Sequence, residues 1–472
     1  MSGKRLLLLA IPLLLALAAP VTAQSPVLPG GMHVYYGDLH SHTSYSDGQQ
    51  TPQDAYRSAR ANGLDFFSLT DHAEQLSDSE LNDTLVQARA ATVEGQFIAI
   101  RGFEWTSIYG HFNVFNSTNR ARANDSRYDT IAEFYAWLSD PAQINALAQF
   151  NHPFYPPQDP FDAWRYDPLA DLHVALIEVR NSSHLCEEEY QDALNAAWHV
   201  GGTNNSDTHQ ANWGVRRART GILAPALTYH DVIESLRVRR TFATDDDDFS
   251  LLLRADDHWM GAILADGPYY LHIYARDPDI TNTLASLELY HNGGLLRSFP
   301  VPAGARALTV TYALTATPAP GDWWYAKATQ SDGEEAYTAP VWTLRPRPYD
   351  LVVRDNLLDE GRPPADDFIW ESPDVWLRRQ PDRLPWGQNL LPGATNYIHL
   401  RLLNRGDRPP TATQVSLYWA EPALAPAWPD DWHLISQFTA DSAMVGRTLI
   451  VPWDAPASVP PHAALLVRLD SP

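Results

Sequence analysis

Between about residues 33 and 245, short apolar runs alternate with segments whose apolar positions recur at helical spacing. Val34–Leu39, Leu64–Leu69, Phe97–Ile100, Leu147–Phe150 and Val174–Val179 predict strands, the last four buried on both faces. Between them, Pro52–Ala61, Asp78–Val93, Thr130–Leu138, Glu187–His199 and Tyr229–Arg237 predict helices with polar starts. Such alternation implies parallel strands with helices outside them, as a barrel or an open sheet. In that architecture reacting groups collect at the carboxyl ends of the strands.

From Phe249 the pattern changes to alternating strands: Phe249–Arg254, Tyr269–Ala275, Leu287–Tyr290, Leu308–Ala313 and Trp323–Thr329, with turns at Asn292-Gly-Gly and Ser331-Asp-Gly. This predicts an immunoglobulin-like β-sandwich over 249–343, followed by a stiff linker at Arg345–Tyr349. A second β-sandwich is expected over 350–472, from Tyr397–Leu403, Val415–Trp419, Thr448–Val451 and Ala464–Leu469. Its tryptophans, among them Trp370, Trp376, Trp419, Trp428, Trp432 and Trp453, either pack its core or form a platform for carbohydrate. The acidic run Asp245–Asp248 reads as a solvated linker loop or a Ca²⁺ site.

Composition narrows the classes. A chain of 472 residues should divide into two to four domains, and its 37 prolines, 16 tryptophans and 4 methionines favour strand-rich modules. A net charge of -23 argues against gripping duplex nucleic acid or an anionic membrane surface, both of which need clustered cations. Lys4 and Arg5, the apolar run Leu6–Ala19 and the small residues of Val21–Ala23 predict a signal peptide over 1–23. The mature chain is therefore expected to be secreted or periplasmic, with no membrane association after cleavage. Cys186 is the single cysteine, which leaves no intramolecular disulfide and reads as a small buried apolar residue.

The chemistry gathers where strands end. His40 and His42, two apart at the end of a strand, point to one side, and Asp47 can return a carboxylate to the same place through a short loop. Further candidates follow the same rule: His72 in Thr70-Asp-His, Glu104 after Phe97–Ile100, His152 in Asn151-His-Pro, and Asp207 with His209, while His111 opens the run His-Phe-Asn-Val-Phe. Imidazole with carboxylate is the ligand set of Zn²⁺, Mn²⁺ or Fe²⁺. Asp38 and Asp71 are candidates to orient ligand imidazoles, or make turn and strand-end hydrogen bonds. Arg180 is a candidate to bind an anionic portion of a substrate, or forms a structural salt bridge.

Taken together, Gly37-Asp-Leu-His-Ser-His with Ser46-Asp-Gly, Leu69-Thr-Asp-His, Glu104, His111, Asn151-His-Pro and Ser206-Asp-Thr-His resemble the PHP (polymerase and histidinol phosphatase) family. The resemblance covers 33–245 and implies a distorted (β/α)₇ barrel holding up to three divalent metals. It implies one metal on His40, His42, Glu104 and Asp207, a second on Glu104, His111 and His152, and a third on Asp47, His72 and His209. Trp213-Gly214, Arg219-Thr-Gly221 and Leu236–Thr244 are similar to a secreted, carbaryl-hydrolase-like subset, more loosely.

The expected function is a secreted metal-dependent hydrolase that uses a metal-activated water rather than a protein nucleophile. No protein acid or base is assigned. A small-molecule or oligomeric phosphoester is the first expectation for substrate. Carbamate, amide or carboxylic ester hydrolysis is the second, and a non-catalytic extracellular protein binding carbohydrate or a partner through the β-modules is the third.

Overall fold

The computed structural model describes residues 28–156, 159–264, 268–314, 318–344, 351–354, 372–382, 384–404, 413–421 and 429–470. The expected leader at 1–23, the linker at 345–349, Trp370 and Trp428 lie outside them. Among the described residues no helix is long and apolar enough to cross a membrane.

The first ten strands are β1 (His33–Asp38), β2 (Phe66–Leu69), β3 (Ile98–Ser107), β4 (Gly110–Phe115), β5 (Leu147–Asn151), β6 (Val174–Asn181), β7 (His184–Leu185), β8 (Gly201–Asn205), β9 (Arg219–Ala224) and β10 (Thr241–Thr244). They run in the order β10-β9-β1-β2-β3-β4-β5-β6, with β7 and β8 both paired to β6. The sheet curls until β8 meets its far end, where Asn204 N–H donates to Thr220 Oγ1 at 3.0 Å and Asn204 Nδ2 to the Thr244 carbonyl at 2.9 Å. The result is a curved, barrel-like sheet whose interior is filled at one end by Phe66, Ile98, Ile100, Phe115 and Leu176 against Val232 and Leu236 of the helix Tyr229–Arg237.

The expectation of parallel strands holds in part. β1-β2-β3 and β5-β6-β8 are parallel, whereas β4 is antiparallel to β3 and β5, and β9 to β1 and β10. The cause is local. Only Ile108 and Tyr109 separate β3 from β4, too few for the crossover that a parallel pair needs.

The helices Pro52–Ala61, Asp78–Ala91 and Ile131–Leu138 start at Thr51, Ser77 and Thr130, each in a capping box with the acidic residue three positions on. Glu187–Asn195 stops short of the expected His199, with Ala197 in the left-handed region at φ 80.

Beyond β10 lie β11 (Ser250–Ala255), β12 (His258–Trp259), β13 (Ile263–Leu264), β14 (Tyr269–Arg276), β15 (Leu284–His291), β16 (Gly294–Ser298), β17 (Ala307–Leu314), β18 (Trp323–Gln330), β19 (Glu335–Thr338) and β20 (Val341–Thr343). A four-stranded sheet, β12-β11-β14-β17, packs through Leu251, Leu253, Leu271 and Ile273 on Leu287, Leu289, Trp324 and Ala326 of β15 and β18. That second layer is not separate from the barrel, because β19 pairs with β10 at Phe242↔Thr338 and Thr244↔Ala336.

The stretch Asp245–Asp248 is correspondingly not a freely solvated loop. Asp246 is fully buried and accepts from Arg217 Nη2 at 2.8 Å and Gln330 Nε2 at 3.1 Å.

Further on, the strands Val375–Arg378, Thr395–Arg401 and Thr448–Asp454 form one sheet, and His433–Thr439, Gln414–Ala420 and Ala464–Asp470 another. They share a core that includes Ile398, Leu400, Val415, Leu417 and Trp453.

Candidate metal centre

Period-two alternation builds the site in layers above the apolar end of the barrel. On β3, Ile98 and Ile100 point into the apolar layer and Glu104 follows on the same face; on β6, Leu176 is followed by Glu178. Between the apolar layer and the cavity lies a buried amide layer. Gln149 Oε1 accepts from Thr203 Oγ1 at 3.0 Å and from Asn205 Nδ2 at 3.3 Å, and Asn205 Oδ1 accepts from Leu39 N–H and Thr220 Oγ1, both at 2.9 Å. A ring of satisfied polar groups therefore separates the apolar core from the cavity and fixes what stands above it.

Backbone hydrogen bonds join the segments that carry the candidate ligands. Thr70 N–H donates to the Ser41 carbonyl at 2.9 Å, His42 N–H to Thr208 at 3.0 Å, Asp207 N–H to His40 at 2.9 Å, and Glu104 N–H to Asp71 at 3.1 Å. The segment 40–42 thus lies between 70–72 and 207–209, and 71–72 continues onto β3. His152 and Asp207 sit at φ 28 and φ 49, left-handed backbone that a side-chain-bearing residue adopts at a cost of about 1–3 kcal/mol.

All nine candidate residues converge. Glu104, 1% exposed, is the hub: Oε1 lies 3.4 Å from His40 Nε2, 3.2 Å from His111 Nδ1 and 3.2 Å from His152 Nε2, and Oε2 lies 2.9 Å from His72 Nδ1. Asp207 Oδ1 is 3.2 Å from Nε2 of both His40 and His42, whose Nε2 atoms are themselves 3.3 Å apart. Asp47 is the outer member, 3.2 Å from His209 Nε2 and 3.5 Å from His72 Nε2. Donor atoms of His40, His42 and Glu104 form one group able to hold an ion, Glu104, His111 and His152 another, and His42, Asp47, His72 and His209 a third, while His40, His152 and Asp207 form a fourth that overlaps the first two. His42 joins that third group, beyond the three residues the family resemblance implies for it.

The electrostatics of the cavity call for positive charge. Burial alone would raise the Glu104 carboxyl, yet the His40 and His111 imidazoles hold it well below the ordinary carboxylate range. Burial likewise opposes ionisation of Asp207, which His40 and His42 nonetheless hold below its ordinary value. In turn burial disfavours the His40 imidazolium, but Asp207, Glu178 and Glu104 raise His40 well above the ordinary histidine range. Against the same opposing burial, Glu104 and Asp47 push His72 up to about 9. His42 goes the other way, lowered by its own burial. Protons on imidazoles balance these carboxylates in the absence of an ion, and a divalent cation meets the same demand.

The donor set fits such an ion in a second respect. His40 Nδ1 lies 3.0 Å from Glu178 Oε1, an acceptor that holds a hydrogen on Nδ1 and leaves the Nε2 lone pair facing Glu104 and Asp207. His209 Nδ1 is set in the same way by the Asp207 carbonyl at 3.1 Å, so that Nε2 faces Asp47.

The supporting residues take the second of the two roles open to each. Asp38 orients no imidazole; its Oδ1 accepts the backbone N–H groups of His40 at 3.1 Å and Ser206 at 3.2 Å, clamping the two ligand-bearing segments together. Asp71 accepts from Thr43 N–H at 2.7 Å, Thr43 Oγ1 at 2.8 Å and Ser46 Oγ at 2.7 Å, and so braces the loop that carries Asp47. Arg180 is not open to an anion, because its guanidinium pairs with Asp245 at 3.0 Å and Glu335 at 3.1 Å. It ties β6 to β19 instead.

The residue that orients an imidazole is Glu178, fully buried and a hydrogen-bond acceptor also from His152 N–H at 2.6 Å and Asn181 Nδ2 at 2.8 Å. Its signal in the sequence was a carboxylate at an inward position of a strand otherwise apolar. Cys186 is buried as expected, with burial pushing its thiol up to about 12.

No family model matches the chain, and no curated protein matches it. Among solved structures it is similar to a two-domain protein from Bacteroides vulgatus containing a predicted PHP-like metal-dependent phosphoesterase, at 19% identity and a TM-score of 0.41 over 67% of this chain and 97% of that one. An inferred metal-dependent phosphoesterase from Bifidobacterium adolescentis is similar at 14% identity and a TM-score of 0.26, over 37% of this chain and 88% of that one. An amidohydrolase from Chromobacterium violaceum is similar at 14% identity and a TM-score of 0.24, over 37% and 87% of the two chains. At these values the functional reading rests on the chain's own residues.

Proposed function

We propose that the chain is a metal-dependent hydrolase of the PHP type. More particularly, we propose a phosphoesterase that takes water as its nucleophile. The observation that carries this reading is the buried Glu104 carboxylate, touched by four imidazoles, with Asp207 and Asp47 on either side of the cluster. A structural site closes with four ligands; nine donor residues in four overlapping groups, with an outer member 47% exposed, suit an open catalytic one.

His40, His42 and Glu104, joined by Asp207 at 3.2 Å from both imidazoles, would hold one ion, Glu104, His111 and His152 a second, and His42, Asp47, His72 and His209 a third. When bound, such ions lower the pKa of water toward neutrality and polarise the ester oxygen. The rest is done by the chain. Glu178 and the Asp207 carbonyl keep the His40 and His209 hydrogens turned out of the cavity. Asp38 and Asp71 keep the ligand loops in register. The amide layer beneath excludes water from the underside.

In this reading residues 33–245 are the catalytic unit, a distorted (β/α)₇ barrel, and 249–343 and 350–472 are accessory sandwiches, the first immunoglobulin-like. Lys4, Arg5 and the apolar run Leu6–Ala19 support export to the periplasm or the medium. The test is turnover of aryl phosphates, phosphodiesters, carbamates and carboxylic esters by metal-reconstituted protein, with His40→Ala as control. Phosphoester hydrolysis abolished by the substitution is expected; hydrolysis that survives His40→Ala, or none on any phosphoester, refutes the proposal.

A further inference from the structure

A cavity of about 270 Å³ opens beside the candidate metal centre, with Asp38, Ser182, Asp207, His209, Asn212 and Arg216 in its lining. Arg216 is half-buried there. Its Nη1 donates to Asn204 Oδ1 at 3.0 Å and to the Asn205 carbonyl at 2.9 Å, which leaves Nε and Nη2 without a partner among the described residues.

Asp38, Asp245 and Glu178 act on Arg216 through their charge and Asp207 lines the same cavity, but each of the four is committed elsewhere. Asp38 is bound to backbone N–H groups of His40 and Ser206, and its burial raises its carboxyl pKa. Asp207 faces His40 and His42 at 3.2 Å. Asp245 pairs with Arg180 at 3.0 Å and accepts from Asn204 Nδ2 at 2.9 Å. Glu178 is occupied by His40, His152 and Asn181. No described carboxylate is within ion-pair distance of Arg216, so a planar cation with a free edge lines a polar cavity against two candidate ligands.

The loop that carries it is held in place. Trp213 is 1% exposed, donates Nε1–H to the His42 carbonyl at 3.2 Å, and its carbonyl accepts from Asn62 Nδ2 at 2.8 Å. Gly214, at φ +77, turns the chain where a Cβ would lie 3.0 Å from Asn62 Cβ. The guanidinium is therefore preorganised, which lowers the ordering cost of binding an anion.

We propose that this cavity is a substrate subsite in which Arg216 binds a second anionic group, a carboxylate or phosphate borne by the substrate next to the ester that reacts. The proposal rests on the hydrolase reading above and narrows the substrate class to esters carrying such a group. A guanidinium edge matches a carboxylate or phosphate in two parallel hydrogen bonds, and Ser182 and Asn212 offer further polar contacts.

The test uses the full chain, metal-reconstituted, on a matched pair: 3-phosphoglycerate and glycerol 3-phosphate, which differ by a carboxylate in place of a hydroxymethyl group. The unaltered protein is expected to prefer 3-phosphoglycerate in kcat/KM by about tenfold or more, as a charge-assisted contact gives. Arg216→Gln brings the ratio to about one, with the loss entering through KM for 3-phosphoglycerate. Ser182→Glu does the same by placing a carboxylate in the same lining without disturbing Asn204 and Asn205; Ser182 is held through its backbone N–H, 3.0 Å from the Asn205 carbonyl.

A ratio near one in the unaltered protein, or a ratio that survives both substitutions, overturns the proposal. Equal losses on both substrates in Arg216→Gln do so too, since they mean that Arg216 only braces Asn204 and Asn205. If neither substrate is turned over, the phosphoesterase reading is judged by the aryl phosphates and phosphodiesters above, and the subsite by calorimetry on the metal-free protein. There 3-phosphoglycerate binding that exceeds glycerol 3-phosphate binding and falls about tenfold in both variants sustains it; any other result rejects it.

Discussion

Glu178→Gln tests the organisation of the centre without touching a candidate ligand. Glu178 Oε1 accepts from His40 Nδ1 and Asn205 Nδ2 at 3.0 Å and from Gln149 Nε2 at 3.4 Å; Oε2 accepts from His152 N–H at 2.6 Å and Asn181 Nδ2 at 2.8 Å. A glutamine keeps one oxygen and turns the other into a donor, so at least two of these contacts become donor against donor. At about 1.5–3 kcal/mol for each bond to a charged group, the barrel should lose about 3–6 kcal/mol, less whatever relaxation recovers. If the amide nitrogen meets His40, the imidazole must shift its hydrogen to Nε2, into the lone-pair direction that faces Asp207. Metal affinity should then fall about 10- to 100-fold. The assay is elemental analysis after dialysis against a graded series of chelator concentrations, alongside urea denaturation followed by tryptophan fluorescence. Wild-type chelator resistance together with an unchanged denaturation midpoint would refute the reasoning.

Glu104→Gln should remove metal from more than one position at once and lower turnover by about a thousandfold or more, because Glu104 faces both the His40 and the His111–His152 groups; loss of a single ion per chain would contradict this. Metal uptake should release protons, since ion binding needs neutral imidazoles and the carboxylates raise His40, His72 and His152. Calorimetry in buffers of different ionisation enthalpy reads the number, and none released would count against it. Burial raises Asp65 to about 6 from 3.8, so its contribution to stability is full below pH 3.8 and is lost as pH rises through 6. Asp65→Asn keeps an acceptor for Tyr36 N–H at 2.8 Å and should add up to about 3 kcal/mol at pH 8 but not at pH 4; an equal gain at both pH values would show that charge burial is not the cause. Arg180→Met leaves Asp245 without its cation and Glu335 with Lys327 alone, and should destabilise by about 1–3 kcal/mol, seen as a lower denaturation midpoint; a raised KM with unchanged stability would restore Arg180 to the substrate.

How far the sequence speaks depends on whether an interaction is local. Most of the nine candidate residues were legible because they follow an apolar run or stand in a two-residue spacing, and strand geometry then brings them to one end of the sheet; Asp47, on a loop, and His111, at the start of a strand, stood out by the family motif instead. Capped helices were legible for the same reason: Thr51 with Asp54 and Ser77 with Glu80 are three residues apart. What escaped was non-local. Glu178 reaches His40 across 138 positions, and Arg180 reaches Glu335 across 155, so neither pairing leaves a pattern in its own neighbourhood. Asp38 and Asp71 stood near ligand histidines in sequence, yet their carboxylates serve backbone groups and hydroxyls: Asp71 adjoins His72 and so faces the other way, while Asp38, two before His40, is taken up by the N–H groups of His40 and Ser206. The antiparallel turn at Ile108–Tyr109 was hidden because β3 runs on to Ser107, well past the apolar segment that announced it.

The pairing of β10 with β19 also bears on how such a gene can be cut or recombined. A fragment ending near residue 248 would carry every candidate ligand but would lay bare the full outer edge of β10, a row of unsatisfied amides and carbonyls of the kind that seeds intermolecular pairing. The barrel and the strands that follow it therefore make one cooperative object, and exchange of the downstream part must preserve a strand able to dock there.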